Sequence, residues 1–205
     1  MHIPSFMRSA VVVAALVVAA ACGSQNPAPG AGTAAVPQGH AQVTPEYDAT
    51  GKLTKIEYDR NKDGKPDTWG YMDGSRVVRV EMDRNGDGQI DRWEFHRADG
   101  TAPGAAPAGA DKTVERIEES TKFDEKVSRK EFFENGALVK VEEDTDGDGR
   151  LDKWETYANG ALQLQELDTE GRGRADRRLI YAADGAFDHM EADLDGSGTF
   201  KPLKP

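Results

Sequence analysis

The stretch DRNGDGQID, residues 83–91, is the most informative segment of this chain for its structure. Oxygen-bearing side chains stand at its first, third, fifth and ninth positions, as Asp83, Asn85, Asp87 and Asp91, and Gly88 stands at its sixth. This spacing directs alternate side chains toward one hard cation, and the glycine permits the sharp turn between them. The stretch therefore predicts a calcium-binding loop between two short elements of secondary structure.

The same pattern recurs as DTDGDGRLD at 144–152 and as DRNKDGKPD at 59–67. Aligning these loops exposes six repeat units, whose first loop residues, here called anchors, are Asp59, Asp83, Ser120, Asp144, Asp168 and Asp193. Successive anchors are 24, 37, 24, 24 and 25 residues apart, and an Ala/Pro/Gly-rich insert at 98–110 accounts for the long interval. We number the loops 1 to 6, at 59–67, 83–91, 120–128, 144–152, 168–176 and 193–201.

The segments between the loops have the pattern of β-strands. Val78, Val80 and Met82 alternate with polar residues, and the units end at Asn-Gly or Asp-Gly turn signals such as 135–136. We predict an all-β fold of strand, calcium loop, strand and tight turn, repeated in about six units of 24 residues as an antiparallel meander. The alternative is an EF-hand-like α fold. A 24-residue repeat disfavours it, because only about 12 residues remain outside the loop for two helices.

Ligand spacing assigns the candidate metal residues. They are Asp59, Asn61, Asp63, Lys65 and Asp67 in loop 1; Asp83, Asn85, Asp87, Gln89, Asp91 and Glu94 in loop 2; Asp144, Asp146, Asp148, Arg150, Asp152 and Glu155 in loop 4; and Asp193, Asp195, Ser197 and Thr199 in loop 6. Lys65, Gln89, Arg150 and Thr199 would contribute backbone carbonyls, and Glu94 and Glu155 stand at position 12, which holds a bidentate carboxylate in EF-hands. All donors are hard oxygens, which favours Ca2+.

The six loops are graded by their ligand sets. Loops 2 and 4 are predicted to be strong Ca2+ sites. Loops 1 and 6 are predicted to provide one or two weaker sites between them. Loop 1 has Gly70 at position 12, and loop 6 has Lys201 at position 9. Loop 5 has Arg172 at position 5, and loop 3 has serine in place of both Asp anchor and ninth residue, so neither is expected to bind metal.

A glutamate stands two residues before every anchor, also in the units without a ligand set. The six residues are Glu57, Glu81, Glu118, Glu142, Glu166 and Glu191. Because these glutamates occur whether or not the unit has metal ligands, we expect them to have a role in the fold. They would form cross-strand pairs with basic residues such as Arg79, Arg116 and Lys140.

The amino-terminal region has the pattern of an exported protein. Arg8 precedes an apolar run at 10–21 that is too short to span a bilayer, and the chain's one cysteine, Cys22, follows directly. The next residues are rich in Ala, Pro and Gly, which is typical of a flexible linker. The predicted organisation is a signal peptide at 1–21, a tether at 22–45 and a repeat domain at 46–205.

Two resemblances extend this interpretation. The segment VAAACG at 18–23 resembles the lipobox of bacterial lipoproteins, which implies cleavage before Cys22 and attachment of lipid to its sulfur. The loops resemble the DxDxDG calcium motif of EF-hands, of dockerins and of integrin α-subunit blades, which implies calcium ligation by Asp59, Asn61, Asp63, Asp67 and their matches. The chain as a whole resembles small repeat-bearing bacterial lipoproteins, which implies anchoring in the outer membrane or on the cell surface.

Composition narrows the function. The chain has 37 acidic and 26 basic residues and a net charge of -11, which disfavours nucleic acid as a partner. It has no nucleophile motif, histidine-based metal signature or phosphate loop, so we expect no enzyme activity. We expect a cell-envelope lipoprotein whose β-hairpin array is stabilised by Ca2+ and whose lipid holds it to a membrane.

Two other functions fit the same residues. The first is an adhesin or a scaffold that binds a protein or glycan partner, through a face that carries Trp69, Tyr71, Trp93, Phe95, Trp154 and Tyr157. The second is an EF-hand-type calcium sensor or buffer.

Overall fold

The computed structural model describes residues 43–97 and 113–203, which form thirteen β-strands and no helix. The strands are β1 Val43–Tyr47, β2 Leu53–Tyr58, β3 Thr68–Asp73, β4 Arg76–Met82, β5 Arg92–His96, β6 Val114–Glu119, β7 Arg129–Glu134, β8 Ala137–Glu143, β9 Lys153–Ala158, β10 Ala161–Leu167, β11 Arg177–Tyr181, β12 Phe187–Ala192 and β13 Lys201–Pro202. The predicted signal peptide, Cys22 and the predicted insert lie outside the described residues. β1 begins at Val43, so the first strand includes residues that the sequence analysis assigned to the tether.

The strands form one antiparallel sheet in the order β1 to β13, in which each strand pairs with its neighbours in sequence. This meander confirms the predicted all-β fold. The EF-hand-like α alternative is wrong for the described residues, because strands flank every loop. None of those residues belongs to a helix that could cross a membrane.

The six loops lie at one end of the strands and the tight turns lie at the other end, as predicted. Two of these turns use consecutive residues with positive φ, Asn135 (56°) with Gly136 (76°) and Asn159 (53°) with Gly160 (77°). Positive φ at both central residues matches the twist of the paired strands, and Asn and Gly adopt it at least cost.

The two faces of the sheet differ in composition. Successive cross-strand neighbours on the buried face are Glu94, Ile117, Glu131, Val141 and Glu155. Val141 is fully buried and Ile117 nearly so, and the glutamates pair with basic side chains of the same face. This mixed apolar and ionic face is the core of the sheet.

The opposite face, here called the tryptophan face, carries the glutamate before each anchor. Direct cross-strand pairs join Glu81 to both Trp69 and Trp93, and join Glu142 to Trp154. The predicted basic partners of these glutamates are confirmed, but cross-strand pairing is wrong for most of them. Arg79–Glu81 (3.0 Å), Arg116–Glu118 (3.0 Å) and Lys140–Glu142 (2.6 Å) join residues two apart on one strand, which share a face. Among these six glutamates, Glu166 is the one for which the described residues show an ion pair across strands, with Arg178 at 2.8 Å.

Candidate metal centre

The loops continue the backbone hydrogen bonding of the sheet from one unit to the next. The amide of Asp83 donates to the carbonyl of Asp67 at 2.9 Å, and the amide of Asp144 donates to the carbonyl of Ser128 at 2.7 Å. The same bond joins loop 2 to loop 3, loop 4 to loop 5 and loop 5 to loop 6. Each anchor after Asp59 is therefore held against the ninth residue of the preceding loop, which places the six loops side by side.

Within a loop, the anchor carboxylate accepts the amides of the fourth and sixth residues. Asp144 accepts the amides of Gly147 (2.6 Å) and Gly149 (2.8 Å), and Asp59 and Asp83 accept the corresponding amides of their own loops. The fourth and sixth residues have positive φ in all six loops, at 62 and 64, 86 and 88, 123 and 125, 147 and 149, 171 and 173, and 196 and 198. The glycine at position 6 was predicted from the sequence. Position 4 was not, although it is glycine in four loops and thus carries a signal for the same conformation.

The ninth residue closes the loop from its other end. Asp91 accepts the amide of Arg84 at 2.8 Å, and Asp176 accepts the amide of Thr169 at 3.0 Å. In loop 5 the Thr169 hydroxyl also donates to Asp176, at 2.7 Å. Threonine recurs at position 2 of loops 3, 4 and 5, a signal that the sequence analysis did not use.

Loop 2 lacks this second donor. Neither Arg84, at its position 2, nor Arg92, directly after its ninth residue, carries a hydroxyl group. In loop 1 the residue after the ninth position is Thr68, whose hydroxyl donates to Asp67 at 2.9 Å. Asp91 is 4% exposed, and its Oδ1 accepts no hydrogen bond from the residues that the structure describes. A buried carboxylate oxygen without a donor favours a bound cation.

Loops 3 and 5 have the same conformation although their ligand sets are incomplete. In loop 3 the hydroxyl of Ser120 accepts the amide of Asp124 at 3.1 Å, and that of Ser128 accepts the amide of Thr121 at 3.0 Å. Both serines are buried, as are the aspartates at these positions of loop 5. The anchor and the ninth residue therefore organise the loop itself, and any contact that they make with a metal is an additional role.

Loop 4 brings three predicted ligands together. One carboxylate oxygen each of Asp144, Asp146 and Asp152 lies within 4.8 Å of the other two. Asp144 is buried, Asp152 is half-buried and Asp146 is exposed, so the group opens toward solvent. Asp148 is not in this group; its carboxylate accepts the amide of Arg150 at 2.8 Å. Three oxygens at this separation fit a hard cation such as Ca2+.

Loop 4 also holds its anchor in the charged form. Burial disfavours ionisation of Asp144, but the amides of Gly147 and Gly149 and the nearby Lys122 ammonium outweigh burial and lower the pKa of this carboxyl. The ammonium belongs to loop 3 and lies against the backbone of Gly147. An anchor that stays ionised at neutral pH is a competent ligand.

In the other loops the side chains at positions 3 and 5 are exposed and bind one another or nearby amides. Asn61 donates to Asp63 at 3.2 Å, and Asn85 donates to Asp87 at 2.9 Å. Position 5 accepts the amide of position 7, which is Lys65 in loop 1, Gln89 in loop 2 and Thr199 in loop 6. Asp195 accepts the amide of Ser197 at 3.1 Å. These side chains face solvent, where an arriving ion meets them first.

The structure does not bring the two predicted position-12 ligands to the loops. Glu94 lies on β5 and accepts Arg92 Nε at 3.0 Å. Glu155 lies on β9 and accepts the Tyr157 hydroxyl at 2.7 Å and Gln165 Nε2 at 3.1 Å. The reason is the strand that follows each loop, because its alternation turns position 12 onto the buried face, where an EF-hand helix would turn it toward the ion.

The aromatic residues of the tryptophan face are half-buried, and basic side chains cover two of their rings. The Arg79 guanidinium lies 4.4 Å from the Tyr71 ring centre, and the Arg116 guanidinium lies 4.3 Å from that of Phe95. Tyr157 lies on the buried face, with Glu155. A face for a protein or glycan partner stays a prediction, and these cation–π contacts satisfy the rings within the chain.

Removal of the Lys122 charge is expected to tighten Ca2+ binding at loop 4. The ammonium repels an ion at Asp144 by about 1 kcal/mol at the high effective dielectric of a surface. Lys122→Met should therefore lower the calcium dissociation constant of this loop about fivefold in titration calorimetry at low ionic strength. The control is Lys126→Met, which, like Lys122→Met, removes one positive charge from loop 3. Equal affinities in the two variants would contradict a specific effect of Lys122.

Comparison with known proteins agrees with the loop geometry. The EF hand family model matches residues 81–98, which include loop 2 and β5. No curated protein matches the chain. The chain thus contains an EF-hand-like calcium-loop motif, and that motif lies in an all-β antiparallel meander.

Proposed function

We propose that this protein is a non-enzymatic calcium-binding protein of the cell envelope, in which Ca2+ stabilises an array of β-hairpins. The convergence of Asp144, Asp146 and Asp152 within 4.8 Å is the observation that carries the proposal. Three carboxylates so close together repel one another unless a cation lies among them. The hard oxygens of the group select Ca2+ over softer metals.

Loop 2 supports the same function independently. It lies in the segment that the EF hand family model matches, and its Asp91 has a buried oxygen without a hydrogen-bond donor among the described residues. A bound Ca2+ would satisfy this oxygen, with Asp83, Asn85 and Asp87 as the other side-chain ligands. Loops 2 and 4 are therefore the proposed principal sites.

The proposed role of the ion is to stabilise the edge of the sheet. Each loop joins two neighbouring strands and is hydrogen-bonded to the next loop, so an ion that fixes one loop restrains several strands. Extracellular calcium modules have dissociation constants of about 0.1–1 mM. At about 1 mM calcium, a site at the tight end adds about 1.4 kcal/mol to the free energy of unfolding. Two such sites add about 3 kcal/mol, which raises Tm by roughly 6–12 °C.

Thermal unfolding with calcium and with EDTA tests this proposal. Calcium should raise Tm by the amount given above, and titration calorimetry should resolve binding at loops 2 and 4. Asp87→Ala and Asp146→Ala change exposed ligands, so each should remove about half of the calcium-dependent shift while changing Tm in EDTA little. Glu170→Ala, at the position in loop 5 that Asp146 has in loop 4, should leave the shift unchanged. A wild-type Tm that does not respond to calcium would refute the function.

The cell-envelope location is supported by the lipobox-like segment that ends at Cys22. Lipid on this cysteine would hold the protein to the outer membrane or the cell surface. Metabolic labelling with palmitate, followed by detergent partition, tests it against the Cys22→Ser variant. Label and detergent partition should both be lost in the variant, and unlabelled wild-type protein would refute lipidation.

A further inference from the structure

Loop 5 has no complete ligand set, and two of its arginines, Arg172 and Arg174, lie beside Gly196 of the next loop. Arg174 stands at position 7 of loop 5. Its Nη1 lies 3.4 Å from Asp193 Oδ2, and its Nη2 donates to the carbonyl of Gly196 at 2.5 Å. Asp193 is the anchor of loop 6 and Gly196 its fourth residue. The guanidinium therefore contacts a carboxylate and a carbonyl of loop 6, which are the two kinds of oxygen that bind Ca2+ in such loops.

The anchor that Arg174 contacts is more deeply buried than the other aspartate anchors, and one of its oxygens lacks a donor. Asp193 is 2% exposed, and its Oδ1 accepts no hydrogen bond from any described residue. In loops 1, 2 and 4 the corresponding oxygen accepts the amide of position 4, at 2.6 Å in each case. A buried carboxylate that lacks this donor needs a positive charge beside it.

We propose that Arg174 is an intramolecular cation that takes the place of Ca2+ in loop 6. Loop 5, which has lost its own ligands, thereby keeps loop 6 folded without metal. The guanidinium is held next to Asp193 by the short connection through β11 and β12, so its local concentration exceeds that of free calcium. This inference deepens the proposed calcium function and rests on it, because it concerns which loops the metal enters.

Removal of the guanidinium should convert loop 6 into a calcium site. Asp193, Asp195, Ser197 and the carbonyl of Thr199 would then be free to bind an ion. Lys201, at position 9, does not close the loop, because its side chain is 72% exposed and its Nζ is 4.0 Å from Asp195. The new site lacks a ninth-position oxygen, so its dissociation constant should be about 1 mM, at the weak end for such loops.

The experiment compares wild type with Arg174→Met by thermal unfolding in EDTA and in calcium up to about 10 mM, with the number of sites from equilibrium dialysis. In EDTA the variant should unfold about 3 °C below wild type, because Asp193 has lost its counter-charge. Calcium should close this gap, and dialysis should give one more site than wild type. Adding Asp193→Asn to the variant should remove that extra site.

Arg172→Met is the matched control. Arg172 also lies beside Gly196 of loop 6, but its guanidinium pairs with Glu170 of its own loop. This variant should keep the wild-type number of sites. If Arg174→Met binds no additional calcium while wild type responds normally, the inference is overturned and the calcium function stands. If wild type itself shows no response, the proposed function fails first.

Discussion

Replacement of Arg92 by methionine is expected to lower the free energy of unfolding by about 3–5 kcal/mol. The guanidinium lies on the buried face of the sheet and pairs with Glu94 at 2.9 Å and with Glu119. Methionine would fill much of the volume but leave Glu94 without its counter-charge in a desolvated place, and leave Glu119 with Arg84 as its remaining basic partner. Urea unfolding of the two proteins at neutral pH and constant calcium measures the difference.

Two further variants give this prediction its specificity. Lys140→Met breaks the more exposed pair with Glu142 and should cost at most about 1 kcal/mol. Glu94→Gln should leave the calcium affinity of loop 2 within about twofold, because its carboxylate binds Arg92 and lies on a strand. A loss of calcium binding in Glu94→Gln would contradict the structural assignment and restore Glu94 as a position-12 ligand.

Replacement of Asp168 by alanine is expected to cost about 3 kcal/mol in calcium and in EDTA alike. This anchor accepts the amides of Arg172 (3.0 Å), Gly173 (2.5 Å) and Arg174 (3.2 Å), and loop 5 has no complete ligand set. Its contribution to stability is therefore independent of metal. Denaturant unfolding under both conditions measures the cost, and a cost that vanishes in EDTA would show that loop 5 binds calcium.

Glu170→Ala is the control for Asp168, because it removes an exposed carboxylate from the same loop. It should change the free energy of unfolding by less than about 0.5 kcal/mol. Equal costs at Glu170 and Asp168 would show that the net charge of the loop matters and the anchor hydrogen bonds do not.

The contribution of Asp168 should also depend on pH. Burial disfavours its charged form, but the amides of Arg172, Gly173 and Arg174 outweigh burial and lower the pKa of this carboxyl. A lowered folded-state pKa stabilises the protein above the unfolded-state value of about 3.9, and this stabilisation is lost as pH falls through the folded-state pKa. The difference between wild type and Asp168→Ala should therefore shrink below about pH 4. A constant difference would contradict ionic hydrogen bonding.

Most of the fold was predictable because its determinants are local. Asn-Gly at 135–136 selects a hairpin turn, and alternation at Val78, Val80 and Met82 selects a strand. The 24-residue repeat leaves no length for a pair of helices, which is why the sequence favoured strands on both sides of a loop that resembles an EF-hand.

The candidate site was predictable only in part, because ligand spacing does not show what else a side chain binds. Glu94 and Glu155 have the correct spacing, yet strand geometry turns both toward other partners. The aspartates at positions 1 and 9 were identified as ligands, but their hydrogen bonds to loop amides appear only in the folded chain. Asp91 differs from Asp67 because no threonine follows it, a contrast that becomes meaningful once the donors are known.

The repeat, the strands, the turns and the oxygen-rich loops could all be predicted from the sequence alone, because each depends on residues close together in the chain. Only the folded chain shows which basic side chains lie beside the anchors of loops 4 and 6. Lys122 lies against loop 4 and Arg174 enters loop 6 because backbone hydrogen bonds place successive loops side by side. Residues some twenty positions apart thus become neighbours, and in loops 4 and 6 the preceding loop supplies a basic side chain near the anchor.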